Sequence, residues 1–447
     1  MGVLLALASA CTPAYGIPAF ARKYGLRCSA CHEAWPKLNN FGQVFKDNGY
    51  QIMNDRDGPI WQNVSYFPVT FRITPQWHRE YNNNMAIDHT AGVSTSGLVE
   101  AKVTTSGFDL SGLDMWTAGT LAKNISFLVL PSTDANGNFH FESAWIRFDS
   151  LLDSGWFNLK FGKHELDTPI SEKRFLQLTA SGGFFQLYHF TPTTDINSFG
   201  GIGNNQLGIE LTGHSRNSYT RYALSLLSSN SGGVNLPTSQ TYDIYANVNQ
   251  AFELHNLGLQ RVGVYAYWGQ SPTYFLTSAG VPIPGTGSGS RPFYRAGTYG
   301  IWYIRKLDFS TLYMRGKDNV FLGTGTPFNQ PAALPAGAHA PTWNGGFVET
   351  HYTWSPQLIL VARYEAIRLS QQAFRIGTPL PSGVPLTRDF GNTDAVVFGY
   401  RWYPIMTSRA GLAWHQEYAR VRIRHAAPVT GRDETTSSFL MGFDVDF

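Results

Sequence analysis

Charge is scarce in this 447-residue chain. Asp, Glu, Lys and Arg together make up 15% of it, well under the roughly 25% of a soluble globular protein. Long apolar runs are missing too. Past the first sixteen residues nothing approaches the about 18 consecutive apolar residues that a spanning helix needs, and the mean hydropathy is only −0.19. A helical membrane protein is therefore excluded. So is a nucleic-acid binder, because the net charge of +3 comes with no basic cluster. Sulfur is the third shortage, with three cysteines in all. What the chain has instead is glycine, 45 residues of it, and 14% aromatics. Low charge, many aromatics and much glycine without a spanning helix point to a transmembrane β-barrel, whose strands present only every second residue to lipid.

Three regions follow from the pattern. Residues 1–16, MGVLLALASACTPAYG, have an apolar stretch from Val3 to Ala10 and small residues at Ala14 and Gly16 ahead of a cut, as in a secretory signal peptide. The usual basic residue near the start is missing. Cleavage after Gly16 would remove Cys11 and leave Cys28 and Cys31 as the only cysteines. Residues 17–60 read as short and helical, with Leu38, Phe41, Val44 and Phe45 on one helix face and Gly49 as a stop. About 45 residues cannot bury much of a core, so this region needs a staple such as a covalent cofactor.

From residue 61 to 447 the period is two. Val69, Phe71, Ile73 and Trp77 alternate with Thr70, Arg72, Thr74, Gln76 and His78. Leu358, Leu360, Ala362, Tyr364 and Ala366 oppose Arg363 and Glu365, and Val396, Phe398, Tyr400 and Trp402 oppose Arg401. Charges inward and apolar groups outward is the barrel pattern. About sixteen such segments run from 65–80 to 437–447, with a break read between 97–110 and 115–131. Short connections alternate with long Gly/Pro/Ser-rich ones, which places both chain ends on the short-turn, periplasmic side. The longest connection, about Leu166 to Asn204, is expected to fold inward as a constriction. The chain ends on a strand carrying Phe439, Met441, Phe443, Val445 and Phe447 on one face, like the assembly signal of outer-membrane barrels.

The motif that carries chemistry is Cys28-Ser29-Ala30-Cys31-His32. Cys-x-x-Cys-His is the c-type haem attachment pattern. The two thiols add across the haem vinyls, and His32 reaches the iron as proximal ligand. A structural zinc site would need four ligands, and no second cysteine pair exists. A redox disulfide would need a thioredoxin-like context. Met53 is the candidate distal iron ligand, since a thioether stabilises ferrous haem and raises the potential. Its other reading is packing against the porphyrin. If the small region sits in the lumen, His78 on the first strand or His164 on the fifth are the alternative ligands, each otherwise a polar lumen residue.

The stretch PAFARKYGLRCSACHEAWPKLNNFGQVFKDNGYQ resembles the N-terminus of the outer-membrane porin–cytochrome fusions, the monohaem iron-oxidising cytochromes of iron-oxidising bacteria. AWIRFDSLLDSGWFNLKFGKHELDTPISEKR, Ala144 to Arg174, is similar to that family's early barrel. The resemblance covers the motif region and the first third of the barrel; later strands match in architecture only. It implies one covalent haem c, held by Cys28, Cys31 and His32, in or at the mouth of a barrel of about sixteen strands. It also implies the outer membrane of a Gram-negative bacterium, with the haem domain entering from the periplasm. The implied activity is that of an Fe(II)-oxidising cytochrome c, an oxidoreductase that passes electrons to a periplasmic c-type cytochrome or blue-copper protein. No catalytic side chain is expected, because outer-sphere electron transfer needs no shaped substrate pocket. Two alternatives stay open: the same conduit with another extracellular donor, and a diffusion porin with a haem plug.

Overall fold

The computed structural model describes residues 18–34, 36–52, 69–88, 98–133, 137–171, 187–191, 199, 201–229, 241–272, 275–276, 282–283, 290–321, 331–334, 336, 338–370, 389–406, 410–427 and 429–447. The signal-peptide reading, 1–16, and Met53 lie outside the described residues.

The chain opens with three short helices, α1 (Pro18–Tyr24), α2 (Cys28–Cys31) and α3 (Asn40–Asp47). Strands β1 (His32–Ala34) and β2 (Lys37–Leu38) form a small hairpin between the last two. Asn39 caps α3 by accepting from the Gly42 amide at 2.9 Å, and Gly49, at φ +79°, ends the turn that follows. The helix buries only part of the face that its spacing implies. Phe45 is buried as expected, Phe41 is 42% exposed, and Gly42, Gln43 and Asp47 are buried as well. The reason is that α3 lies inside a polar-lined lumen rather than over a core of its own.

Sixteen strands form the wall. They are β3 (Val69–Asp88), β4 (Leu98–Ala122), β5 (Ile125–Thr133), β6 (Phe139–Phe148), β7 (Asn158–His164), β8 (Gln206–His214), β9 (Thr220–Ser228), β10 (Tyr242–Leu254) and β11 (Gly258–Pro272). A two-stranded flap, β12 (Phe275–Leu276) and β13 (Pro282–Ile283), intervenes. The wall resumes with β14 (Ser290–Ile304), β15 (Leu307–Lys317), β16 (Thr342–Ser355), β17 (Leu358–Leu369), β18 (Thr393–Met406), β19 (Gly411–Ile423) and β20 (Glu434–Asp446). Every neighbour is antiparallel and the ring is closed, β20 pairing with β3. At that seam Phe447 and Phe71 exchange backbone hydrogen bonds of 2.9 and 3.0 Å, and their rings stack at 5.6 Å.

The strand count matches the sequence reading, but one boundary moves. The expected break between 110 and 115 is a bulge, where Ile73 pairs with Leu113 and Pro75 with Leu110. β4 runs through it, and the turn comes at Lys123–Asn124, with Asn124 at φ +60°. No helix among the described residues is long and apolar enough to cross a membrane.

The two-residue alternation sorts the wall into faces. On β9, Arg221, Ala223, Ser225 and Leu227 are buried toward the lumen, while Leu224 and Leu226 are exposed outside. Val248, Val264 and Phe398 extend this apolar outer surface, of the kind that marks contact with lipid. Inside, rings lie flat over glycines on the next strand. A Cβ at Gly263 would overlap the Tyr299 ring, one at Gly269 that of Phe293, and one at Gly316 that of Trp343. The high glycine and aromatic contents are thus one feature, since the glycines vacate space that the rings fill. Gly263→Val and Gly316→Val are each expected to cost ~1–3 kcal/mol through overpacking. They should lower the temperature at which the folded band disappears on a semi-native gel. Gly107→Val, where nothing lies within 4 Å, should leave it unchanged.

Candidate functional site

The N-terminal segment is seated in the short-turn end of the lumen, touching the wall nearly all the way round. Phe127 on β5 packs against Ala19, and Trp145 on β6 stacks at 6.1 Å on Tyr50. Arg147 donates to the Lys46 and Asp47 carbonyls at 3.0 and 3.2 Å. Tyr303 on β14 donates to Glu33 at 2.5 Å. Lys37 reaches Asp308 on β15 at 2.5 Å, and His351 on β16 bridges that carboxylate to Glu349 at 2.8 and 2.7 Å. Ala34 packs against Ile359, Val361, Tyr403 and Ala413 on β17 to β19.

The strongest tie is Arg221. Its guanidinium donates to both Asp47 oxygens at 2.7 and 2.9 Å and to both Asp167 oxygens at 3.1 and 2.8 Å. Burial would raise the Asp47 carboxyl, but the charge and hydrogen bonds of Arg221, with the charge of His214, together offset this and hold it at about 2. Lys37 is likewise held above its ordinary value, against the effect of burial, by Glu33, Tyr303 and Asp308.

Within this seat the CxxCH motif is compact. α2 places Cys28 and Cys31 on one turn, neither in a disulfide. α3 crosses so closely that a Cβ at Gly42 would collide with the Cys31 carbonyl. Burial pushes the Cys31 thiol up to about 11, the opposite of what a redox-active CxxC requires. His32 is 5% exposed. Its Nδ1 lies 3.2 Å from the Pro36 carbonyl, and its Nε2 is buried with no hydrogen-bond partner. Burial also lowers the imidazole to about 4, opposed by the backbone at Pro36 and Lys37. A neutral ring, fixed through Nδ1 and bare at Nε2, is what a haem-iron ligand presents. The residues therefore fit a covalent haem c. Among the described residues no group of three or more His, Cys, Asp or Glu gathers to hold a bare metal ion.

Both alternative ligands sit on the wall. His78 is nine residues up β3 from Val69, with Glu80 at 3.8 Å and Asp109 at 3.9 Å. His164 is buried on β7, with Nδ1 2.9 Å from the Gly162 carbonyl and Nε2 3.7 Å from Glu210, which also pairs with Lys160.

Above the segment, the connection after β7 folds inward as expected wherever it is described. Leu166, Ile170, Leu187, Tyr188 and Phe199 join the lumen rings of Tyr245, Tyr267, Phe293, Trp343 and Phe347 in one buried cluster. Glu365 accepts from the Leu187 amide, and Tyr188 donates to the Ile170 carbonyl at 3.0 Å. Two bodies thus share the lumen, and Arg221 holds both through Asp47 and Asp167. Sequence reasoning assigned none of these charged residues a role. Alternation marks them as inward, but their pairing depends on which strands face each other across the barrel.

No protein-family model matches the chain, and no curated protein does. Among solved structures, an anion-selective porin from Comamonas acidovorans superposes with a TM-score of 0.53 at 11% identity, over 85% of this chain and 99% of that one. The barrel has the porin fold. The outer-membrane channel DcaP of Acinetobacter baumannii (TM-score 0.47, 8% identity, 84% and 97% covered) and Pseudomonas putida OprB (TM-score 0.47, 11% identity, 84% and 94% covered) match less well.

Because Asp47 is depressed in the folded state, its pairing stabilises the seat above the ordinary carboxylate range, near pH 4. That stabilisation is lost only as pH falls through about 2. Pepsin at pH 3 should therefore leave the N-terminal segment of the detergent-solubilised protein intact. Arg221→Ala removes the guanidinium that two buried carboxylates share, at a cost of ~3–5 kcal/mol, and should expose the segment to pepsin at the same pH.

Proposed function

We propose that the protein is an outer-membrane porin-type barrel that carries one haem c on Cys28 and Cys31 and moves electrons inward. Extracellular Fe(II) gives up one electron and leaves as Fe(III). The electron passes to a periplasmic c-type cytochrome or blue-copper protein. The observation that carries this reading is His32, a buried neutral imidazole beside two thiols with an unpartnered Nε2, placed inside a barrel lumen.

Bound to the chain, the group supplies a one-electron ferric/ferrous couple. His32 would hold the iron through Nε2, its ring fixed by the Pro36 carbonyl. The ion pairs Asp47–Arg221 and Lys37–Asp308 keep the segment at one depth in the lumen. Phe20, Phe45, Tyr50 and Trp145 pack beside it and exclude water. Position is what matters here. The apolar band of the outer membrane is about 25 Å tall, and tunnelling falls steeply over such a length. A single redox centre serves both faces only from within the wall. The outer mouth needs no substrate pocket, because Fe(II) oxidation by outer-sphere transfer forms no bond to the protein.

The fold likeness to an anion-selective porin favours a second reading, a diffusion channel in which the N-terminal segment is a stopper. Two measurements separate them. The air-oxidised protein in mild detergent, given Fe(II) anaerobically at acid pH, should develop ferrous c-haem bands in stoichiometric amount, and Cys28→Ala/Cys31→Ala should abolish covalent haem while the barrel still folds. Reduction by dithionite but not by Fe(II) would remove iron as donor. In planar bilayers the intact chain should conduct poorly, and deletion of residues 18–60 should raise conductance roughly tenfold or more, as expected for a 16-stranded lumen once unplugged. Large steady conductance from the intact chain would favour the diffusion reading.

A further inference from the structure

The geometry points to His415, on the lumen face of β19, as the residue that would serve as distal ligand of the haem iron alongside His32. This rests on the haem reading above and adds a residue from the barrel wall to it.

His415 is fully buried, and its Nε2 has no hydrogen-bond partner. Nδ1 comes within 3.4 Å of Asp444 Oδ2, which leaves Nε2 as the bare nitrogen. A carboxylate behind one nitrogen with the other free is the arrangement of a metal-bound imidazole. As an ordinary lumen residue the ring is hard to explain, because a buried polar group without a partner is costly. Among the described residues only His32, His164 and His415 have a buried histidine Nε2 without a hydrogen-bond partner, and His164 has the Glu210 carboxylate beside its own.

Position supports the pairing. His32 and Ala34 share the buried face of β1, with Glu33 turned outward. Ala34 packs in one cluster with Ala413, and His415 is the next lumen-facing residue along β19. The strands around His415 already meet the hairpin that carries His32. Arg401 of β18 pairs with His415 across the ladder, and Tyr403, two residues on, lies in one buried cluster with Ala34 and Ala413. On the other side Asp444 of β20 pairs with Ala413. A ligand drawn from the wall would also set the depth of the iron in the lumen without recourse to the chain between residue 52 and β3.

The test uses full-length protein in detergent, with folding checked by heat-modifiable gel migration. The wild type should show a low-spin ferric signal by electron paramagnetic resonance and no sulfur-to-iron charge-transfer band. His415→Ala should keep covalent haem but turn high-spin, and added imidazole should restore the low-spin signal, which a merely structural role would not produce. His415→Met should gain the charge-transfer band and shift the midpoint potential upward. A sulfur band in the wild type, or an unchanged low-spin spectrum in folded His415→Ala, would overturn the assignment while leaving the haem in place. Absence of covalent haem from the wild type would instead defeat the reading on which it rests.

Discussion

One guanidinium decides how the lumen is filled. Arg221 rises from the start of β9 and spends its donors on two carboxylates, Asp47 from the N-terminal segment and Asp167 from the inward connection. Neither carboxylate belongs to the wall, and each body would carry a buried charge into the barrel if the arginine were absent. Buried pairs of this kind add little net stability over apolar packing. What they impose is position, because the guanidinium fork accepts its partners in few geometries. The segment bearing the CxxCH motif is thereby held at a fixed depth, and the constriction above it at a fixed angle.

The wall is built to tolerate such contents. Sixteen strands enclose a lumen too wide for side chains alone to fill. The chain fills part of it with rings laid over glycines, on β11, β14, β15 and β16, and the rest with its own N-terminal segment. The polar side of the lumen faces that segment, and the aromatic side faces the inward connection. The outer surface needs only to be apolar at every second residue, which explains how a membrane protein can have so low a mean hydropathy.

The sequence carried the barrel well, because a period of two leaves its trace even where individual strands are irregular. It misled between 110 and 115, where the break read between two strands is absorbed as a bulge within one. On the apolar face of α3 it marked Phe45 rightly and Phe41 wrongly, because α3 lies within a lumen. The motif itself was legible from Cys28, Cys31 and His32 alone. Its surroundings were not. Asp47–Arg221 and Lys37–Asp308 join residues 174 and 271 positions apart, and no local pattern encodes such a meeting. His415 is the plainest case: one histidine in an alternating strand looks like any other lumen residue until its bare Nε2 is seen.

The distribution of contacts around the segment also bears on how the molecule comes together. Its partners lie on β5, β6, β9, β14, β15, β16 and β17 to β19, so it has no complete binding surface until nearly the whole wall exists. Yet it precedes every one of those strands in the chain, and the seam where Phe447 meets Phe71 closes last in sequence order. Seating the segment and closing the ring therefore draw on the same strands, and each strand added to the wall adds to the surface that the segment meets.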